Sequence, residues 1–221
     1  MIALPRPCLC LVTDRRRAAP GARTTAAALR DLHQQLDDAI DAGIDLIQIR
    51  ERDLEAATLC AFVTAVVARA PAATRVVVND RADVAIAAGA AGVHLRADGP
   101  ATARMRPLRP AGWIVGRSVH TVEESAAAGE ADYLIFGTVF PSVSKPIDAP
   151  VAGLDALRAA CAVSTAPVLA IGGITPDRVA ACRDAGAGGI AAIGAFLPGP
   201  AQAIRAMRAA WNDDGFTLER M

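Results

Sequence analysis

The chain has 221 residues, with 23 Lys and Arg against 23 Asp and Glu, a formal net charge of zero at pH 7, and 53% hydrophobic residues. That apolar share supplies a sizeable core and excludes a disordered chain. The balanced charge excludes the basic footprint of a nucleic-acid binder and gives no basis for attraction to an anionic membrane.

The elements follow one another in a regular order. After Pro5-Arg6-Pro7 comes a short apolar strand, CLCLVT at 8–13, whose run of about five residues is too short for a signal peptide. A helix is expected over 25–42, and DAGIDLIQIR at 41–50 then shows a pattern that recurs along the chain. An alanine-rich helix ends on Gly, which takes the left-handed C′ conformation cheaply, and an apolar strand leaves at once. The same pattern returns in AAGAAGVHLR (87–96), AAGEADYLIFG (127–137) and DAGAGGIAAIG (184–194). Between these lie the strands RVVVN (75–79), WIVGRS (113–118) and VLAIGG (168–173), and helices over 55–69, 81–88, 100–106, 121–128, 153–162, 176–185 and 200–211.

Eight continuous apolar strands alternating with eight helices predict a parallel sheet with its outer face covered. In about 220 residues this fits a single (β/α)8 TIM barrel, with an open doubly wound sheet as the alternative. The barrel domain is expected over 1–221, with 212–221 a polar tail that Trp211 or Phe216 docks. No apolar run approaches the roughly 20 residues that cross a bilayer. Cys8, Cys10, Cys60, Cys161 and Cys182 lack C-x-x-C spacing, so they read as reduced thiols of a cytoplasmic protein.

Barrel chemistry sits at the C-terminal ends of strands and in the loops that follow. Gln48 and Arg50 are two apart, so a strand points both to one face, the barrel interior. A buried guanidinium there needs an anionic ligand or an ion pair with Glu51 or Asp80. Asn79 and Asp80 end the third strand as hard oxygen donors suited to Mg²⁺, although Asp80 also suits an N-cap. Gly172-Gly173, before the helix at Pro176, and Gly194 after the eighth strand can present backbone N–H groups to a phosphate. The long loop 137–153 carries Ser142, Ser144 and Lys145, which suit a second phosphate-like group or simply solvent. His94 reads as a core histidine, whereas His120 suits either structure or catalysis.

The ordered set QIRER, VNDRADVAIAAGAAGVHL, VGRSVHTVEE, ADYLIFGTVFPSVSKP and LAIGGITPDRV resembles the thiamine phosphate synthase family, including its thiazole tautomerase branch. The resemblance implies a transferase that joins a pyrimidine hydroxymethyl diphosphate to thiazole phosphate with release of diphosphate, using Mg²⁺. It further implies that Gln48, Arg50, Arg52, Asn79, Ser142, Ser144 and Lys145 surround the diphosphate and pyrimidine, with Ser118 beside the pyrimidine. Asp80 would hold Mg²⁺, and Gly172, Gly173 and the Gly194 loop the thiazole phosphate; Thr138 and His120 would line the substrate site.

Three positions depart from the family pattern. Arg52 stands where a synthase usually has Lys, and HLRADGP replaces the segment with the second magnesium carboxylate, so Asp98 matches only with a one-residue deletion. Thr138 stands where the tautomerase branch carries its catalytic His, and Thr is a poor proton shuttle at neutral pH. Synthase is therefore the favoured reading, ahead of a tautomerase and of a non-catalytic phosphate-ligand binder. Both enzymes would be cytoplasmic, acting on small molecules, and alanine-rich outer helices would accommodate a homo-oligomer.

Overall fold

The computed structural model describes residues 4–142, 150–197 and 199–213, the Arg106 side chain excepted. Eight parallel strands close into one barrel in sequence order: β1 (Cys8–Val12), β2 (Leu46–Ile49), β3 (Arg75–Asn79), β4 (Gly92–Leu95), β5 (Ile114–Val119), β6 (Tyr133–Phe136), β7 (Val168–Ile171) and β8 (Gly189–Ala192). The helices are α1 (Arg15–Ala18), α2 (Thr25–Asp41), α3 (Ala56–Arg69), α4 (Ala82–Ala87), α5 (Val122–Ala126), α6 (Gly153–Val163), α7 (Pro176–Asp184) and α8 (Pro200–Asn212). The open-sheet alternative is thereby set aside.

Alternation along each strand divides the core in two. Cys8, Cys10, Val12, Leu46, Val77, Ile114, Tyr133, Ile135, Leu169 and Ala191 fill the barrel interior. Their strand neighbours, such as Leu9, Leu11, Ile47, Val76 and Val78, pack outward under the helices. Cys8 and Cys10 are buried interior residues whose thiols burial holds far above the ordinary range, so they act as packing. Gly116 has a steric role: a Cβ there would lie 2.1 Å from the Tyr133 ring, which crosses the interior at that level.

The helix-to-strand punctuation takes the expected form. At the end of α2, Gly43 has φ +80°, and Gly43 N–H and Ile44 N–H donate to the carbonyls of Ile40 and Ala39. Two local expectations are corrected. The helix expected at 100–106 is a 3-10 helix, Thr102–Leu108, with Pro107 inside it, where no N–H exists to continue an α-helical ladder. The short helix α1 was not foreseen; the Asp14 carboxylate caps it by accepting from the N–H groups of Arg16 and Arg17.

Among the described residues, no helix is long and apolar enough to cross a membrane. Trp211 is buried against the core at the end of α8, while Phe216 and the rest of 214–221 lie outside the described residues.

Candidate active site

Parallel strands put all eight C-terminal ends at one mouth, and there a cavity of about 1060 Å³ opens. Gln48, Arg50, Arg52, Asn79, Asp98, Ser118, His120, Thr138, Ser142, Gly172, Gly173 and Gly194 all line it. Strand ends from every part of the chain are thus brought together. Asp80 stands beside it, behind Arg96, and Ser144 and Lys145 lie outside the described residues.

Arg50 follows β2, where the Thr13 hydroxyl accepts its backbone N–H at 2.8 Å. Its side chain is half-buried, yet among the described residues the guanidinium has no hydrogen-bond or ion-pair partner. Both carboxylates offered as structural partners are engaged elsewhere. Glu51 is buried against Arg15, accepting its backbone N–H at 3.0 Å and its Nη1 at 2.8 Å. Asp80 accepts the Nε of Arg96 at 2.8 Å. The ion-pair account of Arg50 is thereby corrected. Burial, and then the neighbouring Arg52 charge, lower its pKa from the ordinary arginine value, but a guanidinium still stays protonated. The cation faces the cavity without a direct partner among the described residues, with Asp14, Glu51 and Asp80 acting on it only through space.

A polar chain runs round the barrel from this point. Gln48 Nε2 donates to Asn79 Oδ1 at 2.9 Å, and Asn79 Nδ2 donates to Asp80 Oδ2 at 2.9 Å. Asn79 and His94 are paired in register across β3 and β4. The buried His94 ring touches the Tyr133 hydroxyl through Nδ1 at 3.1 Å and Ser118 Oγ through Nε2 at 2.9 Å. Burial, with a smaller contribution from the Arg50 charge, brings its pKa down to about 3, so the imidazole is neutral. Tyr133 is fully buried and has no other polar contact among the described residues, so its O–H proton goes to Nδ1. Nε2–H then donates to Ser118, which leaves the serine O–H proton free to point into the cavity. His94 is structural, as expected, and it also sets which way Ser118 donates. His120 donates its Nδ1–H to the Gly137 carbonyl at 2.6 Å.

The glycine pair after β7 has a packing reason absent from the sequence reading. Gly172 and Gly173 have φ values of +103° and +61°. A Cβ on Gly172 would lie 2.4 Å from Thr138 Cγ2, and one on Gly173 would lie 2.2 Å from the Pro141 carbonyl oxygen. The loop after β6 therefore lies directly on the pair. Among the described residues, the N–H groups of Gly172, Gly173 and Gly194 have no protein acceptor. Such a set of bare donors is a ready site for an anion.

Three cavity-lining arginines were not foreseen as site residues. Arg17 follows the Asp14 cap, with Nη1 3.4 Å from where a Gly194 Cβ would stand. Arg178 donates to the Gly173 carbonyl at 2.6 Å and stacks over Phe140. Arg96 lies between Asp80 and Asp98. The signal available was position alone: each follows a strand end by only a few residues. Among the described residues, five arginines line the cavity, against Asp98 and Glu124 of opposite charge. Both carboxylates are engaged, Asp98 by Arg96 and Glu124 by the His120 backbone N–H. The site is built for a polyanion.

A family model described as thiamine monophosphate synthase matches residues 9–196. The chain is 39% identical over 205 residues to the thiamine-phosphate synthase of Anaeromyxobacter dehalogenans, covering 91% of this chain and 92% of that protein. It is 36% identical over 206 residues to a putative thiamine-phosphate synthase of Geobacter sulfurreducens, with 91% and 92% covered. Among solved structures, the thiamine phosphate pyrophosphorylase of Pyrococcus furiosus superposes with a TM-score of 0.77 at 29% identity, over 92% of this chain and 94% of that one.

Proposed function

The chain belongs to the thiamine monophosphate synthase family, and from that premise we propose that it is a transferase forming thiamine phosphate from a pyrimidine hydroxymethyl diphosphate and thiazole phosphate. The observation that carries this reading is the Arg50 guanidinium beside Arg52, without a direct partner among the described residues, at the mouth of a cation-lined cavity. The C–O bond to diphosphate breaks heterolytically and the leaving group keeps the electron pair. The thiazole nitrogen then donates its lone pair to the pyrimidine methylene cation, forming the C–N bond. Diphosphate departs as the second product, and the carbon–nitrogen bond formation itself requires no base.

In this reading Arg50 and Arg52 meet the charge that grows on the departing oxygen. Gln48, Asn79 and the free Ser118 proton orient the pyrimidine, and Thr138, Ser142 and His120 complete the wall. The bare N–H groups of Gly172, Gly173 and Gly194 receive the thiazole phosphate. Ser144 and Lys145 belong to the same assignment by resemblance.

Magnesium, which the resemblance implies, meets a disagreement here. Asp80 and Asp98 are donors of the right chemistry, but Arg96 already lies between them at 2.8 and 3.4 Å. As arranged, the pair does not fit an ion. Leaving-group stabilisation is assigned to the chain's own cations. We place the enzyme in the cytoplasm, consistent with its five free thiols.

The test is purified protein with both substrates, assaying thiamine phosphate as fluorescent thiochrome. Product formation that saturates in both substrates is expected. Absence of product with both ligands bound would overturn the reading, leaving a thiazole tautomerase or a non-catalytic binder. Within the same assay, Gly173→Ala should raise KM for thiazole phosphate roughly tenfold or more, since charge-assisted N–H contacts of that worth are displaced. Its KM for the pyrimidine diphosphate should rise less, because Gln48, Arg50, Arg52 and Asn79 follow other strands and only the loop of Thr138 and Ser142 is shared with the altered glycine.

A further inference from the structure

We propose that Arg96 is the resident cation of the Asp80–Asp98 pair, holding the place of a divalent ion so that the free protein binds such an ion only weakly. The arrangement begins in the backbone. Asp80 and Arg96 are the first residues after β3 and β4, and the register pairing Asn79 with His94 sets these two strand ends side by side. Asp80 has φ +59° and donates its N–H to the His94 carbonyl, and this turns its carboxylate toward Arg96.

Arg96 then engages that carboxylate twice. Its backbone N–H donates to Asp80 Oδ1 at 3.0 Å, and its side-chain Nε lies 2.8 Å from Asp80 Oδ2. The same Nε stands 3.4 Å from Asp98 Oδ1. Asn79 adds a third donor to Asp80, at 2.9 Å. An incidental surface pair has no such backbone anchor. Here the loop that carries the guanidinium is itself bonded to the carboxylate it neutralises.

Magnitudes separate this arrangement from an ordinary metal site. The Arg96 side chain is half-exposed, so displacing it from the carboxylates costs only a few-fold in affinity. The larger effect is charge. A unit positive charge about 4 Å from a divalent ion weakens its binding about thirtyfold even at the dielectric of water. Removing the guanidinium removes both penalties.

The test uses the whole chain without substrate, so it does not depend on the reaction proposed above. Mn²⁺ binding would be followed by electron paramagnetic resonance of the free ion in wild type, Arg96→Gln, Arg96→Ala and the double variant Arg96→Gln/Asp80→Asn. Wild type should bind most weakly of the first three, and each single Arg96 variant should gain at least tenfold in affinity. The gain should disappear in the double variant. Circular dichroism checks the folds, and either single variant suffices if the other unfolds. Wild type binding Mn²⁺ as tightly as the Arg96 variants would overturn the proposal, and so would a gain that survives Asp80→Asn. Either failure leaves the synthase assay untouched.

Discussion

Replacing Arg50 with alanine should lower kcat/KM for thiamine phosphate formation by roughly 10²–10³-fold while leaving thermal stability unchanged or slightly raised. The two halves of this result come from one observation. The guanidinium is half-buried and has no anionic partner among the described residues, so the folded protein gains little from keeping it. What it can stabilise is the diphosphate as the C–O bond breaks. Most of the loss should therefore fall in kcat, because the charge on the bridging oxygen appears only as the bond opens. Arg50→Lys should recover part of the rate, since it restores the charge but not the two-pronged donor geometry. A structural arginine would behave in the opposite sense, with a lowered melting temperature and an activity loss that follows unfolding. Steady-state thiochrome kinetics and a thermal melt on the same preparation distinguish the two.

Much of the frame that positions Arg50 is written locally. Gly43 ends a helix and releases a strand within three residues, and the parity of Leu46, Gln48 and Arg50 follows from strand geometry alone. Hence the barrel and the cavity-facing residues on its strand ends are legible from short-range pattern. The charge partners are not. Glu51 is claimed by Arg15, 36 positions earlier, and Asp80 by Arg96, 16 positions later. Neither pairing has a helical or strand period to announce it. They depend on which strand ends become neighbours and on a single left-handed residue at Asp80. The glycine pair shows the same limit. Its sequence suggests a phosphate cradle, but its tightest steric demand comes from Thr138 and Pro141 in a different loop. The short helix α1 did carry a local signal, the Asp14 cap.

The same distinction applies to His94, whose chemistry is set by what surrounds it. Burial is the main cause, and the Arg50 charge the second, of a pKa held down to about 3 from the ordinary 6.5. In the unfolded chain the imidazole takes up a proton as the pH falls below about 6.5, whereas in the fold it stays neutral until about 3. Across that window the unfolded state binds more protons, so stability falls as the pH falls. The loss approaches about 1.4 kcal/mol per pH unit, or about 2 kcal/mol between pH 7 and pH 5. His94→Gln should remove this loss. Its amide can accept from the Tyr133 hydroxyl and donate to Ser118, preserving both contacts without a titrating group. Urea unfolding of the two proteins at pH 7 and pH 5 is the measurement, and carboxylates elsewhere contribute equally to both. The wild type should lose about 2 kcal/mol more than the variant over this interval. Parallel losses would mean that His94 already carries its proton in the fold. Nδ1 would then be a donor to Tyr133 rather than an acceptor, and the argument that neutral His94 fixes the direction of the Ser118 proton would fail with it.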